Sequence, residues 1–156
     1  MALEIISQQL GALAYGEKDL LAFPDGILGF AQWQDYLLVD QDDVAPLRWL
    51  QPVGEPAVTF TVLDPYLFVP DYRICLGDED RAALDLVEGD EPAVLVLVTI
   101  PEDPSQMTAN LLGPLVINPR TSKGRQLVMH DSGYPIRHPL IADAPQAEAT
   151  PSSAAV

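Results

Sequence analysis

Fifteen prolines divide this 156-residue chain. They stand at 24, 46, 52, 56, 65, 70, 92, 101, 104, 114, 119, 135, 139, 145 and 151. An interior proline removes a helix hydrogen bond and clashes with the preceding turn, so no long helix can run through residues 46–70 or 92–119. What lies between the prolines reads as strand. Tyr36-Leu37-Leu38-Val39 follows a turn-rich segment, and Ala57 to Leu63 is β-branched and aromatic. Ala93 to Ile100 is apolar on both faces, the pattern of a central buried strand. Leu115 to Asn118 and Gln126 to Met129 flank a turn over 119–124, which predicts a hairpin. Leu3 to Ile6 and Gly11 to Tyr15 predict a second one.

A single segment reads as helix, Asp78 to Val87. Gly77-Asp78 offers the cap, Glu79 and Asp80 place negative charge in the first turn, and Gly89 supplies a stop. A short helical turn is expected near Ser105-Gln106-Met107. The expected fold is therefore mainly β: a small barrel-like sheet domain with one short helix, closed because short strands need a way to hide their edges. Residues 1–140 form the expected domain. Residues 141–156, rich in Ala, Pro, Ser and Thr, are expected to be a disordered tail.

Charge narrows the function. The chain carries 23 acidic and 8 basic residues, a net of −15. Through residue 119 there are 4 basic and 20 acidic residues, whereas residues 120–140 hold 4 basic and 1 acidic. Phosphate backbones need a basic face, so direct nucleic-acid binding by this body is not expected. A basic protein partner fits better, because a negative field steers it in. The lone cysteine, Cys75 between Ile74 and Leu76, allows no internal disulfide and reads as a small buried hydrophobe. No signal peptide is visible, and the longest apolar run, Ala93 to Ile100, is too short to span a bilayer. A cytoplasmic protein without membrane contact is expected.

The search for catalytic chemistry returns little. His130-Asp131-Ser132 contains the three triad residue types, but neighbours on a strand point to opposite faces, so a strand end entering a turn is the better account. A small hydrolase or metal-dependent enzyme using His130 and Asp131 is the competing reading, although no metal-ligand spacing supports it. Asp40-Gln41-Asp42-Asp43 lacks the glycine and distal glutamate of a calcium loop, and no phosphate-binding glycine loop occurs. No enzyme, cofactor or metal is expected. Recognition surface is easier to find. Asp64 to Tyr72 sets three aromatics between prolines, and a stiff segment offers aromatics to a partner at low entropic cost. Asp78 to Glu91 holds seven acidic residues and one arginine. Pro101 to Asn110 is a similarly rigid polar connection.

Five segments in order carry a family resemblance: Phe23-Pro24-Asp25-Gly26-Ile27-Leu28-Gly29-Phe30, Asp64 to Tyr72, Val98 to Pro104, Met107 to Leu111 and Val116-Ile117-Asn118, with Tyr134 to Leu140 extending the match. Together they resemble the flagellar assembly factor FliW family over roughly residues 3–140. That resemblance implies a small β-barrel-like protein without catalytic activity, which binds flagellin in the bacterial cytoplasm as a chaperone. It also implies binding of the RNA-binding translational regulator CsrA and relief of its repression of flagellin synthesis. The expected partner-binding residues are Tyr66, Phe68, Asp71 and Tyr72 in the aromatic segment, Glu79, Asp80, Asp85 and Glu88 in the acidic one, and Asn110.

Overall fold

A computed structural model describes residues 3–27 and 29–140; the expected tail lies outside the described residues. The strands are β1 (Leu3–Ser7), β2 (Gly11–Tyr15), β3 (Leu20–Ala22), β4 (Asp35–Asp40), β5 (Arg48–Pro52), β6 (Phe60–Leu63), β7 (Ala93–Thr99), β8 (Thr108–Ala109), β9 (Leu115–Asn118), β10 (Lys123–Gln126) and β11 (His138–Pro139), with one helix, α1 (Asp78–Ala83). Strands β3 to β7 form an antiparallel meander, and β7 pairs with β9, which pairs with β10. A parallel contact of Lys123 with Ala22 joins β10 to β3 and closes a seven-stranded barrel. Strands β8 and β11 branch from the far end of β7. The β1–β2 hairpin forms a separate two-stranded sheet.

Alternation along β7 explains why its sequence is apolar throughout. Leu95 and Leu97 point into the barrel with Phe23, Tyr36, Leu50, Val62 and Leu115. Val94, Val96 and Val98 point outward into a second core with Tyr72, Leu84, Leu111 and Leu127. Interior packing is tight. A Cβ on Gly124 would stand 2.4 Å from Cζ of Phe23, so only glycine lets β10 cross that ring. The Tyr36 hydroxyl donates to the Trp33 carbonyl at 3.2 Å, and burial pushes its pKa up to about 12.

The outer faces of the barrel carry two covers. Residues 64–92, the crossover from β6 to β7, wrap as a strap over the β7–β9 side and seal the second core with Leu84, which is fully buried. The β1–β2 hairpin is held to the β5–β6 side. Ser7 Oγ donates to Oε1 of buried Gln51 at 2.7 Å, and Thr59 Oγ1 donates to the same oxygen at 2.6 Å. Gln51 Nε2 lies 2.9 Å from the Pro52 and Val58 carbonyls and 3.0 Å from that of Glu55. The buried Gln51 amide, stripped of water, thus finds partners for both its oxygen and its nitrogen inside the protein.

Several sequence expectations shift here. The helix ends at Ala83 instead of Val87, because Leu84 turns into the core and Asp85 adopts φ +54°. The freed Leu84 carbonyl accepts from Asn118 Nδ2 at 2.9 Å and Thr121 Oγ1 at 3.2 Å, so side chains of the β9–β10 hairpin replace further helical turns. That hairpin turns over 119–122, and its second strand is Lys123–Gln126 rather than Gln126 to Met129. Leu127 and Met129 serve the second core instead. The strand foreseen from Ala57 begins at Phe60, and the helical turn near Ser105 is a single 3-10 turn at Pro104–Gln106. Cys75 is exposed, not buried.

Candidate partner-binding site

The aromatic segment leaves β6 through a 3-10 turn, Pro65–Leu67, capped by the Asp64 carboxylate, which accepts from Tyr66 N at 2.9 Å. The structure separates its three rings. Tyr72 is buried, its hydroxyl donating to the Leu111 carbonyl and its ring centroid 4.7 Å from that of Tyr134. Burial pushes its phenol pKa strongly upward. The expectation of three displayed aromatics is therefore corrected: Tyr72 anchors the segment, because a ring this close to Leu111 fills the second core. Phe68 is half-buried and stacks on His138 at 5.7 Å. Tyr66 stays 39% exposed beside Leu67 at 60%. Its ring meets Tyr72 edge-on at 6.0 Å, and burial, then Asp64, then Tyr134 raise its pKa. Asp71 is exposed. Tyr134 closes the cluster, its hydroxyl accepting from Arg73 N at 3.0 Å. Sequence reasoning missed Tyr134, which lies 62 residues beyond Tyr72 and is brought there only by the fold.

The acidic segment does not present a uniform negative face. Arg125 on β10 reaches Asp25 and Glu79 at 3.2 Å each and Asp80 at 3.0 Å. Lys123 reaches Asp85 at 2.6 Å, and Arg120 reaches Asp90 at 3.1 Å and the Asp85 carbonyl at 2.6 Å. The Arg120 hydrogen bond holds the Asp90 carboxyl below the usual carboxylate range, helped by the Val87 N–H. Glu79, Asp80 and Asp85 are thus engaged by the basic hairpin, while Glu88 stands exposed with no ion pair among the described residues. The signal for this was in the sequence: the short basic run after residue 119 supplies the counter-ions. Asn110 is half-buried, its Oδ1 accepting from Leu112 N at 3.1 Å and Gly113 N at 2.9 Å, so that oxygen shapes a turn.

His130 and Asp131 are both exposed in the turn after Met129. Among the described residues no group of three or more His, Cys, Asp or Glu side chains is placed to hold a metal ion. No described helix is long and apolar enough to cross a membrane.

Comparison with known proteins places this geometry. The family model described as FliW protein matches residues 4–140. The flagellar assembly factor FliW of Natranaerobius thermophilus is 38% identical over 142 residues, covering 90% of this chain and 94% of its own length. That of Syntrophomonas wolfei is 35% identical over 153 residues and covers 98% of each chain. A crystal structure of the flagellar assembly factor FliW aligns with a TM-score of 0.85 at 29% identity, over 91% of this chain and 99% of that one. The match runs through the barrel, the strap and the branch strands alike, and on that ground the chain belongs to the FliW family of flagellar assembly factors.

Proposed function

We propose that this protein acts in flagellum biogenesis in the cytoplasm by binding flagellin as a chaperone and, when free of flagellin, by binding and antagonising the translational regulator CsrA. The observation that carries the reading is the full-length correspondence with flagellar assembly factors, which spans residues 4–140. Physical chemistry supports the second task. A body of net charge −15 draws in a basic RNA-binding protein and repels the RNA that would compete for it. In this reading residues 1–140 are the working domain, the protein binds no nucleic acid itself, and no catalysis is involved. The exposed Tyr66 and half-buried Phe68 supply contact area, and exposed carboxylates such as Glu88 and Asp71, which make no ion pair among the described residues, supply attraction. A pulldown from lysate of a motile bacterium tests it. Recovery of flagellin and the regulator is expected. Recovery of neither, with a tightly held metal on the purified protein, would replace the reading with the hydrolase alternative at His130 and Asp131.

A further inference from the structure

Most strand edges in this protein are closed. Among the described residues the barrel strands join in a ring, closed by the Lys123–Ala22 pair, and the edge of the β8 branch is a two-residue strand ending in Pro139, which has no N–H to offer. The β1–β2 hairpin is the exception. Its two strands pair only with each other, and no other backbone hydrogen bond among the described residues reaches 3–7 or 11–15. Neither strand carries a proline, lysine or arginine. Of the devices that natural proteins use to blunt an edge, β1 carries one charge, Glu4, and β2 carries none. Strand β2, Gly-Ala-Leu-Ala-Tyr, has no charge and no buried residue, whereas β1 is pinned by buried Ile5 and Ser7.

We propose that β2 is an acceptor edge for an extended partner segment that places an apolar residue and a lysine or arginine two positions apart on one face. The register gives this specificity. Ile5 and Ser7 face the barrel, so Glu4, Ile6, Ala12 and Ala14 face outward, with Glu4 opposite Ala14 and Ile6 opposite Ala12. Ile6 is 69% exposed. An added strand would lie about 10 Å from β1, two strand spacings away. Ala12 and Ala14 are too short to screen what stands behind them. An apolar side chain above Ala12 therefore reaches across to Ile6, and a basic one above Ala14 reaches Glu4. Main-chain hydrogen bonds to β2 supply affinity, and these two side chains supply the choice of partner. The net charge of −15 disfavours a second copy of this chain as the occupant and favours a basic one. The inference does not depend on which proteins fill the roles proposed above.

The test uses the full chain, isotope-labelled, and a synthetic peptide Thr-Lys-Thr-Ile-Thr-Lys-Thr with blocked ends, which offers lysine two positions from isoleucine in either strand direction. Added peptide should slow amide exchange and shift resonances within residues 11–15. Glu4→Lys should weaken binding roughly two- to fivefold, the scale of one cross-strand charge pair or more. A peptide with glutamate in place of lysine should show the reverse order, preferring the Glu4→Lys variant. Methylating alternate peptide nitrogens on the pairing edge should abolish binding. Three results would overturn the proposal: no perturbation of residues 11–15 up to the solubility limit of the peptide, equal binding of the methylated peptide, or β2 protection in the free protein that grows with its own concentration.

Discussion

The two covers of the barrel are attached in opposite ways. The strap buries Leu84 and Tyr72 in an apolar core and adds ion pairs at its rim. The hairpin buries little beyond Ile5 and is clipped down by Ser7, Gln51 and Thr59. Apolar contact is non-directional and accumulates with area, whereas a hydrogen-bond clip holds one geometry with little area. The barrel therefore treats one cover as part of its core and the other as an attachment. That contrast separates the residues that set stability from those that set the availability of a surface.

The contrast can be broken from either side. The largest effect belongs under the strap: Val96→Asp would bury a carboxylate where no cation waits, costing several kcal/mol against a total of about 5–15. Loss of soluble expression is expected, and a soluble, cooperatively melting variant would show that the strap side is not core. Gln51→Ala comes next. It strands Ser7, Thr59 and backbone carbonyls, each at about 1–3 kcal/mol when left buried and unpaired. Amide exchange should accelerate more in residues 3–15 than in the strap; uniform acceleration would mean that the hairpin is not separately clipped. Arg125→Gln should matter much less, by about 1 kcal/mol, because two of its three partners, Asp25 and Glu79, are largely in solvent and only the Asp80 pair is shielded. Its effect on denaturant midpoint should shrink as salt is added, and a salt-independent loss would point to packing instead.

The smallest effect is pH-dependent and sits at the rim of the strap. Asp90 has a folded pKa depressed below its ordinary 3.8 by the hydrogen bond from Arg120. A depressed carboxylate contributes stability above its unfolded pKa and loses it as pH falls through the folded one. Asp90→Asn should therefore be less stable than the parent at neutral pH, with the gap closing below about pH 3.8. A gap that persists in acid would assign the role of Asp90 to shape rather than charge.

Some of this architecture was legible in the residues. The β-rich class, the β1–β2 hairpin and the bounds of β9 follow from proline spacing and alternation, which are local properties. The ends of α1 and β10 were not legible, because they are set by distant groups: Asn118 and Thr121 terminate the helix, and the Phe23 ring sits against Gly124. Strands β3, β5, β8 and β11 escaped notice because β5 ends in Pro52 and the other three have only two or three residues. At the candidate site, the exposure of Tyr66 and the partial exposure of Phe68 fit a stiff aromatic run, which is a local signal. The burial of Tyr72 and the neutralisation of Glu79, Asp80 and Asp85 by Arg125 and Lys123 are products of tertiary contact.

Barrel closure also has a temporal side. The contact that completes the ring joins Ala22 to Lys123, residues 101 positions apart in the chain. At about 5–20 residues per second of synthesis, roughly 5–20 s separate the appearance of the two. During that interval the second edge of β3 has no strand to pair with. Ring closure therefore waits for a strand made late in synthesis, whatever forms before it. Charge follows the same order: 20 of the 23 acidic residues precede residue 120, and Arg120, Lys123 and Arg125, which pair with Asp25, Glu79, Asp80, Asp85 and Asp90, come only afterwards.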